Sequence, residues 1–280
     1  MTGFSAEWLA LREPADGAAR NRDVLSATSR LFENKDAINV LDLGSGSGSN
    51  LRALAAHLPL RQKWRLVDYD TDLIEAARTA LAGWADEAAS VGKNLSLRRD
   101  GRVVDVAFLQ TDLSANLNKV LNGPADLVTA AAFFDLVSAD WIERFVRGLA
   151  ARKLPLYAVL TYNGEESWKP AHPSDATVNA AFNLHQRTDK GFGPAAGPAA
   201  AGILAAALRE NGYEVVLGDS PWRLTSADQL LIEPLVAGIA TAAGQTGTVA
   251  PEVLLAWRKA RRSPAACVIG HTDLLAIPVR

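Results

Sequence analysis

Apolar and polar positions along the chain switch between two periods. Ile38 to Leu43 is a short apolar run with one acid, closed by a glycine-rich turn, and a helical pattern follows from Asn50 to His57. The unit then repeats. Residues 64–68 predict a second strand, followed by a helix from Asp72 with Leu73, Ala76 and Ala77 on one face. Residues 103–113 predict a third strand. Residues 125–134 predict a fourth, and the helix after it, 140–152, gathers Ile142, Phe145, Val146 and Leu149 into one apolar face. A fifth strand is expected over 154–163, a helix over 199–211 stopped at Gly212, a sixth strand over 213–219 and a seventh over 267–277. Strands alternating with helices predict an α/β fold with a mostly parallel sheet.

Three segments exceed that repeat. Residues 1–35 lead with a helical stretch, 15–32. Residues 163–198 are long and polar and mix His, Asp, Lys and Gly, so they are expected to form a substrate-binding lid loop. Residues 220–262 predict two helices, 226–243 and 251–261, as a cap over the site or a dimer surface. No repeat and no linker composition divides the chain, so 1–280 is expected to be a single domain.

Composition narrows the class. Twenty-nine Lys+Arg against 31 Asp+Glu gives a net charge of −2, which argues against charge-driven binding to nucleic acid or a membrane surface. One cysteine, Cys267, excludes an intramolecular disulfide and a multi-thiolate zinc site. The opening MTGFSAEWLALREP lacks a basic start and apolar run, and the uncharged stretches are interrupted by Gly or Pro. A cytoplasmic protein is therefore expected. Arg98, Arg99 and Arg102 flank a turn at Asp100-Gly101 and read as a solvated hairpin edge.

The glycine turn carries the chemistry. Residues 38–50 read INVLDLGSGSGSN. Glycines permit positive φ and close approach of a ligand, and the helix that follows offers free N–H groups. The dinucleotide fingerprint wants G-x-G-x-x-G, but here Gly44, Gly46 and Gly48 put the third glycine one position early, with Ser49 in its place. Asp42 at the strand end repels a pyrophosphate and attracts an ammonium or sulfonium. Asp68, 24 residues after Gly44, is placed to accept hydrogen bonds from ribose hydroxyls.

The segment VLDLGSGSGSN resembles motif I of the class I S-adenosylmethionine-dependent methyltransferases, and the similarity extends over residues 38–220. The resemblance implies a Rossmann-like fold of seven strands with the last antiparallel, and S-adenosylmethionine as cofactor. It implies a cofactor site of Asp42, Gly44, Ser45, Gly46 and Gly48, with Asp68 at the ribose, Tyr69 beside the adenine, Asp112 at the adenine amino group, Leu113 supplying a backbone contact, and Ala130 at the strand end facing the methyl group. Asp112 also suits the N-cap of a short helix. A leader of this kind closes over the cofactor, where Arg20 can meet the methionine carboxylate; a surface arginine is the plainer alternative.

The acceptor is read by elimination from family patterns. The region after strand four, TAAAFFD, lacks the Pro-Pro-aromatic run of amino methylation on bases. No Pro-Cys nucleophile is present, no acids end strands four and five, and His57, His172, His185 and His271 lack metal-ligand spacing. A metal-free reaction on a small molecule, at O or N, is expected. Asp135, Tyr162, Asn163, His185, Asp189 and Lys190 are the candidates near the transfer point, with His185, Tyr162 and Asp135 put forward as catalytic. Two alternatives stand beside this reading: a nicotinamide-dependent oxidoreductase, and a cofactor-binding protein without turnover.

Overall fold

A computed structural model describes residues 4–264 and 266–279. The leader is two helices, α1 (Ala6–Ala19) and α2 (Arg22–Arg30), broken at Arg20 and Asn21. Strand β1 (Ala37–Leu43), helix α3 (Ser49–Leu54), strand β2 (Arg61–Asp68) and helix α4 (Thr71–Trp84) follow. Then come β3 (Glu87–Val91), β4 (Asn94–Arg99), β5 (Arg102–Gln110) and α5 (Leu113–Leu121). Next are β6 (Leu127–Ala131), α6 (Ala139–Ala150), β7 (Leu156–Lys169), α7 (Asp175–Gln186) and α8 (Ala200–Glu210). The chain closes with β8 (Tyr213–Asp219), β9 (Trp222–Thr225), α9 (Gln229–Gln245), α10 (Pro251–Ala260) and β10 (Ala266–Pro278).

The sheet runs β3-β4-β5-β2-β1-β6-β7-β10-β8, with β9 paired to β10. Strands β5, β2, β1, β6 and β7 are parallel, and β10 is antiparallel to both β7 and β8. The strand order reverses between β1 and β6, which opens a crevice at their carboxyl ends. One sheet face packs on α5, α6 and α8 through Leu117, Trp141, Phe145 and Leu204. The other packs on α2, α3 and α4 through Val24, Leu51, Leu54 and Leu81.

Three expectations change, and the hairpin edge at Asp100-Gly101 holds. Among the described residues the sheet has ten strands, not seven: β3 and β4 add a hairpin at one edge, and β9 adds a short strand at the other. The basic edge is a β4–β5 hairpin whose Asp100 and Gly101 both take positive φ, 47° and 74°, as a two-residue turn requires. The single leader helix 15–32 starts at Ala6 and breaks at Arg20, because Asn21 caps α2 by accepting from the Asp23 and Val24 amides. The expected long loop 163–198 is largely regular structure: β7 continues to Lys169, and α7 takes 175–186.

That last change has a physical origin. β7 and β10 pair along their length and rise beyond the parallel sheet as an arm, with the short β9 on the far edge of β10. The arm is apolar on one side, through Tyr162, Trp168, Cys267 and Ile269, and α7, α9, α10 and α1 cover it to form a third core. The arm is bent by irregularities in β7, where Thr161 and Ala158 face Thr272 and Leu274, and Glu166 and Tyr162 face Ile269 and His271. Bulges of this kind re-aim side chains beside functional sites.

Candidate functional site

The glycine loop closes β1 and starts α3. Gly44, Gly46 and Gly48 have φ of 61°, 50° and 75°. A Cβ on Gly44 would fall 2.5 Å from Phe133 Cδ2, so only glycine fits under that ring. The loop is tied to β2: Ser45 donates its amide to Val67 O at 3.0 Å, and Gly46 donates to Asp68 Oδ2 at 2.8 Å. Asp68 Oδ1 accepts the Asp70 amide at 3.1 Å. Each oxygen keeps a second lone pair. Burial raises the Asp68 pKa against these bonds.

Behind the loop lies a buried polar chain. Asp42 is fully buried at the end of β1, and its Oδ1 accepts from Asn50 Nδ2 at 2.7 Å. The same amide donates to Thr129 Oγ1 at 3.0 Å. Asn50 Oδ1 accepts from Arg20 Nη2 at 2.9 Å. The break between α1 and α2 turns Arg20 inward, so it is a buried residue of the site and not a surface arginine. Arg20 Nε and Nη1, Asp42 Oδ2 and Ser47 Oγ are buried without hydrogen-bond partners. Burial pushes the Asp42 carboxyl up to about 7, although Asn50 and Arg20 pull the other way. Unpaired donors and an unpaired acceptor beside the glycine turn fit the carboxylate and ammonium of an amino-acid ligand.

The rest of the predicted cofactor set surrounds the loop. Tyr69 is 53 % exposed at the end of β2. Asp112 is the N-cap of α5, its Oδ1 accepting the Ser114 amide at 2.7 Å. Leu113 is buried, and its carbonyl accepts Trp141 Nε1 at 3.1 Å. Ala130 is buried in β6 directly beside Leu43. α1 covers the loop: Leu9 Cδ1 lies 3.0 Å from where a Gly46 Cβ would be, and Glu13 pairs with Arg52 of α3.

A second cavity, of about 120 Å³, opens past the end of β6. Arg12, Asp135, Tyr162, Glu166 and His271 contribute its polar groups, and Phe182, Trp222, Leu235 and Ile239 much of its apolar wall. Two of its lining residues, Ala132 and Leu160, hold positive φ of 50° and 58°. Non-glycine residues occupy that region at a cost of roughly 1–3 kcal/mol each, and such strain clusters at functional sites. Asp135 is buried with Oδ1 unpartnered, and burial raises its pKa to about 6. The Tyr162 hydroxyl faces Glu166 Oε1 at 3.2 Å and Asn183 Oδ1 at 3.0 Å. Burial and the Glu166 charge keep it un-ionised, and burial lifts Glu166 to about 7.

Of the three residues put forward as catalytic, the fold brings Asp135 and Tyr162 together and leaves His185 out. His185 sits at the end of α7, does not line the cavity, and its Nε2 meets Gln245 Oε1 at 2.7 Å. Asp189 accepts the Gly191 and Gly193 amides, and Lys190 donates to His185 O, so both serve the turn after α7. Arg12, Asn50, Glu166 and His271 were not singled out as site residues. Only the Arg12–Asp16 spacing of i,i+4 gave a sequence signal, since the others converge from separate elements. Among the described residues no group of three or more His, Cys, Asp or Glu is placed to hold a metal ion. No helix of the described residues is long and apolar enough to cross a membrane.

No protein-family model matches the chain, and no curated protein matches it. Solved structures do. A cyclopropane-fatty-acyl-phospholipid synthase-like protein from Lactobacillus casei aligns with a TM-score of 0.55 at 14 % identity, over 98 % of this chain and 95 % of that one. The YcgJ protein of Bacillus subtilis aligns with a TM-score of 0.52 at 14 % identity, over 93 % and 100 %. The cyclopropane synthase MmaA2 of Mycobacterium tuberculosis aligns with a TM-score of 0.51 at 11 % identity, over 98 % and 94 %. At these identities the likeness is one of fold: a Rossmann-like α/β architecture with a mostly parallel sheet and an antiparallel strand, β10, inserted next to the edge.

Proposed function

We propose that the protein is an S-adenosylmethionine-dependent methyltransferase acting at O or N of a small molecule. One observation carries the reading: Arg20 and Asp42 present unpaired, buried, opposite-charged groups above a glycine turn at the point where the strand order reverses. The bound cofactor supplies an electrophilic methyl group on a sulfonium.

The chain's own residues do the rest. Arg20 Nε and Nη1 bind a carboxylate, and Asn50 holds the guanidinium in place. Asp42 Oδ2 accepts from an ammonium, and the opposite charge brings its carboxyl back toward the ionised form. Asp68 receives ribose hydroxyls on its free lone pairs. Asp112 and the Leu113 backbone flank the adenine, with Tyr69 at its face. Phe133 packs on Gly44, and the next residue toward β6, Ala132, lines the second cavity, so the glycine loop and that cavity meet at the end of β6. An acceptor in that cavity meets Asp135 as its base. In-line displacement then requires alignment more than acid–base power, and the buried walls provide it.

Calorimetric titration with S-adenosylmethionine, S-adenosylhomocysteine and NAD, each alone, tests the assignment. Micromolar binding of both adenosyl ligands and none of NAD is expected. Binding of NAD alone would move the protein to nicotinamide chemistry. No binding of any would reduce the glycine loop to a structural turn.

A further inference from the structure

The second cavity has more acceptors than donors. Arg12, its one cation, is matched by Asp16, which takes Nε at 2.9 Å and Nη2 at 3.1 Å. The guanidinium also lies 5.0 Å from the centre of the Trp222 ring. His271 is buried and uncharged, with Nδ1 unpartnered. Two carboxyls have no cation within salt-bridge distance, although Arg12 acts on Asp135 from farther off and pulls its pKa down against burial. Asp135 is 8 % exposed and its Oδ1 has no hydrogen-bond partner. Glu166 shares the Tyr162 hydroxyl with Asn183 Oδ1 and, at 3.5 Å, Asn179 Oδ1. Both asparagine NH₂ groups are committed to Gly164 O, so they are not available to turn around. One hydroxyl proton therefore faces three acceptor oxygens.

A guest that offers several hydrogens and a positive charge satisfies this wall. An alcohol brings one hydrogen and no charge, and a carboxylate adds a further anion. Phe182, Trp222, Leu235 and Ile239 require the rest of the guest to be apolar. An apolar cavity of about 150 Å³ takes a benzene ring. The 120 Å³ here is smaller, so it holds at most one small ring, with the rest of the guest toward its mouth.

Resting on the methyl-transfer reading, we infer that the acceptor is a compact amine, bound as its ammonium against Asp135 with an apolar body of at most one small ring, and methylated on nitrogen. The step balances. The ammonium gives one proton to Asp135, which frees the nitrogen pair. That pair forms the N–C bond to the methyl group of the sulfonium donor, and the S–C bond breaks with its electrons staying on sulfur. The products are a methylated ammonium, a thioether and a protonated Asp135, which returns its proton to solvent.

The test is calorimetry on the full chain at pH 8, where Asp135 and Glu166 are ionised, with 2-phenylethylamine, 2-phenylethanol and 3-phenylpropionate as probes. The amine is expected to bind at least tenfold more tightly than the alcohol, with the carboxylate weakest. Asp135→Asn should weaken the amine at least tenfold and the alcohol less than threefold. Glu166→Gln is the second variant and should move the amine in the same direction, which keeps the test decisive if Asp135→Asn fails to fold. An alcohol that binds as tightly as the amine, an amine without measurable binding at millimolar concentration, or variants that weaken all three probes alike would each overturn the inference. S-adenosylhomocysteine titrated into the same samples separates the two readings. Adenosyl binding without amine preference sinks the amine alone; amine preference without adenosyl binding sinks methyl transfer and leaves an amine-binding cavity.

Discussion

The Leu160 amide donates to Asp273 Oδ1 at 2.8 Å, across 113 positions of sequence. Asp273 Oδ2 accepts the Asn21 amide, also at 2.8 Å. One fully buried carboxylate thus holds both the positive-φ kink that lines the second cavity and the corner that turns Arg20 inward. Asp273→Ala should strand two amides and lower stability by about 3–6 kcal/mol, since bonds to charged acceptors contribute roughly 1.5–3 kcal/mol each. Thermal unfolding measures that loss. Titration with S-adenosylhomocysteine at a temperature where the variant is folded should show at least tenfold weaker binding. Unchanged affinity would mean that Arg20 keeps its position without Asp273.

Gly44→Ala tests the floor of the loop. The new methyl group would meet Phe133 at 2.5 Å in a backbone of φ 61°. Overpacking costs about 1–3 kcal/mol and the left-handed backbone adds to it. A drop in unfolding temperature together with loss of adenosyl binding is expected. Pairing it with Phe133→Ala should recover part of the stability, because the clash is with that ring.

Asp42→Asn should stabilise the protein while harming its ligand site. The folded Asp42 pKa lies near 7, above its unfolded value of 3.8, so the native state binds the extra proton between those values. Stability therefore falls as pH rises through that window, and the whole penalty is present above pH 7. An asparagine keeps the Oδ1 acceptor for Asn50 and removes the charge. The variant should gain on the order of 1–2 kcal/mol at pH 8. It should gain almost nothing at pH 4. Denaturant unfolding at the two pH values checks the sign. The same variant should bind S-adenosylmethionine at least tenfold more weakly.

Arg261 is 1 % exposed and gives its Nε and Nη2 to Asp175, while Trp257 Nε1 donates to the same carboxylate at 2.8 Å. Burial alone would raise the Asp175 pKa, but the His172 amide, Arg261 and Trp257 outweigh it and the net shift is downward. The pair therefore contributes stability above the unfolded pKa of Asp175 and loses it as pH falls through the lower folded value. Asp175→Ala leaves a buried guanidinium without its partner, a change that costs about 3–5 kcal/mol in buried pairs. Limited proteolysis should then cut the α7–α10 cap before the parallel sheet. Uniform cleavage of both would show that the cap and sheet unfold together.

What the sequence determined is local. The glycine spacing, the strand-end acids Asp42 and Asp68, the Asp100-Gly101 turn and the Gly212 stop all act through backbone φ or within one turn of chain, so composition at those positions is sufficient. The order of strands and helices follows from hydrophobic period for the same reason. The sequence also marked residues 163–198 as a lid loop, because polar residues and glycines dominate it; only the pairing of β7 with β10, about 100 positions apart, makes its first part a strand. Tertiary structure likewise decided the site. Arg20 became a buried residue beside Asn50 because Asp273 and Asn21 bend the leader there, and His185 lies away from the cavity because α7 carries it to Gln245. Asp135 and Glu166 share a cavity because the bulged arm of β7 folds back over the turn after β6. Contacts between distant segments depend on how several elements pack at once, and no window of sequence contains that information.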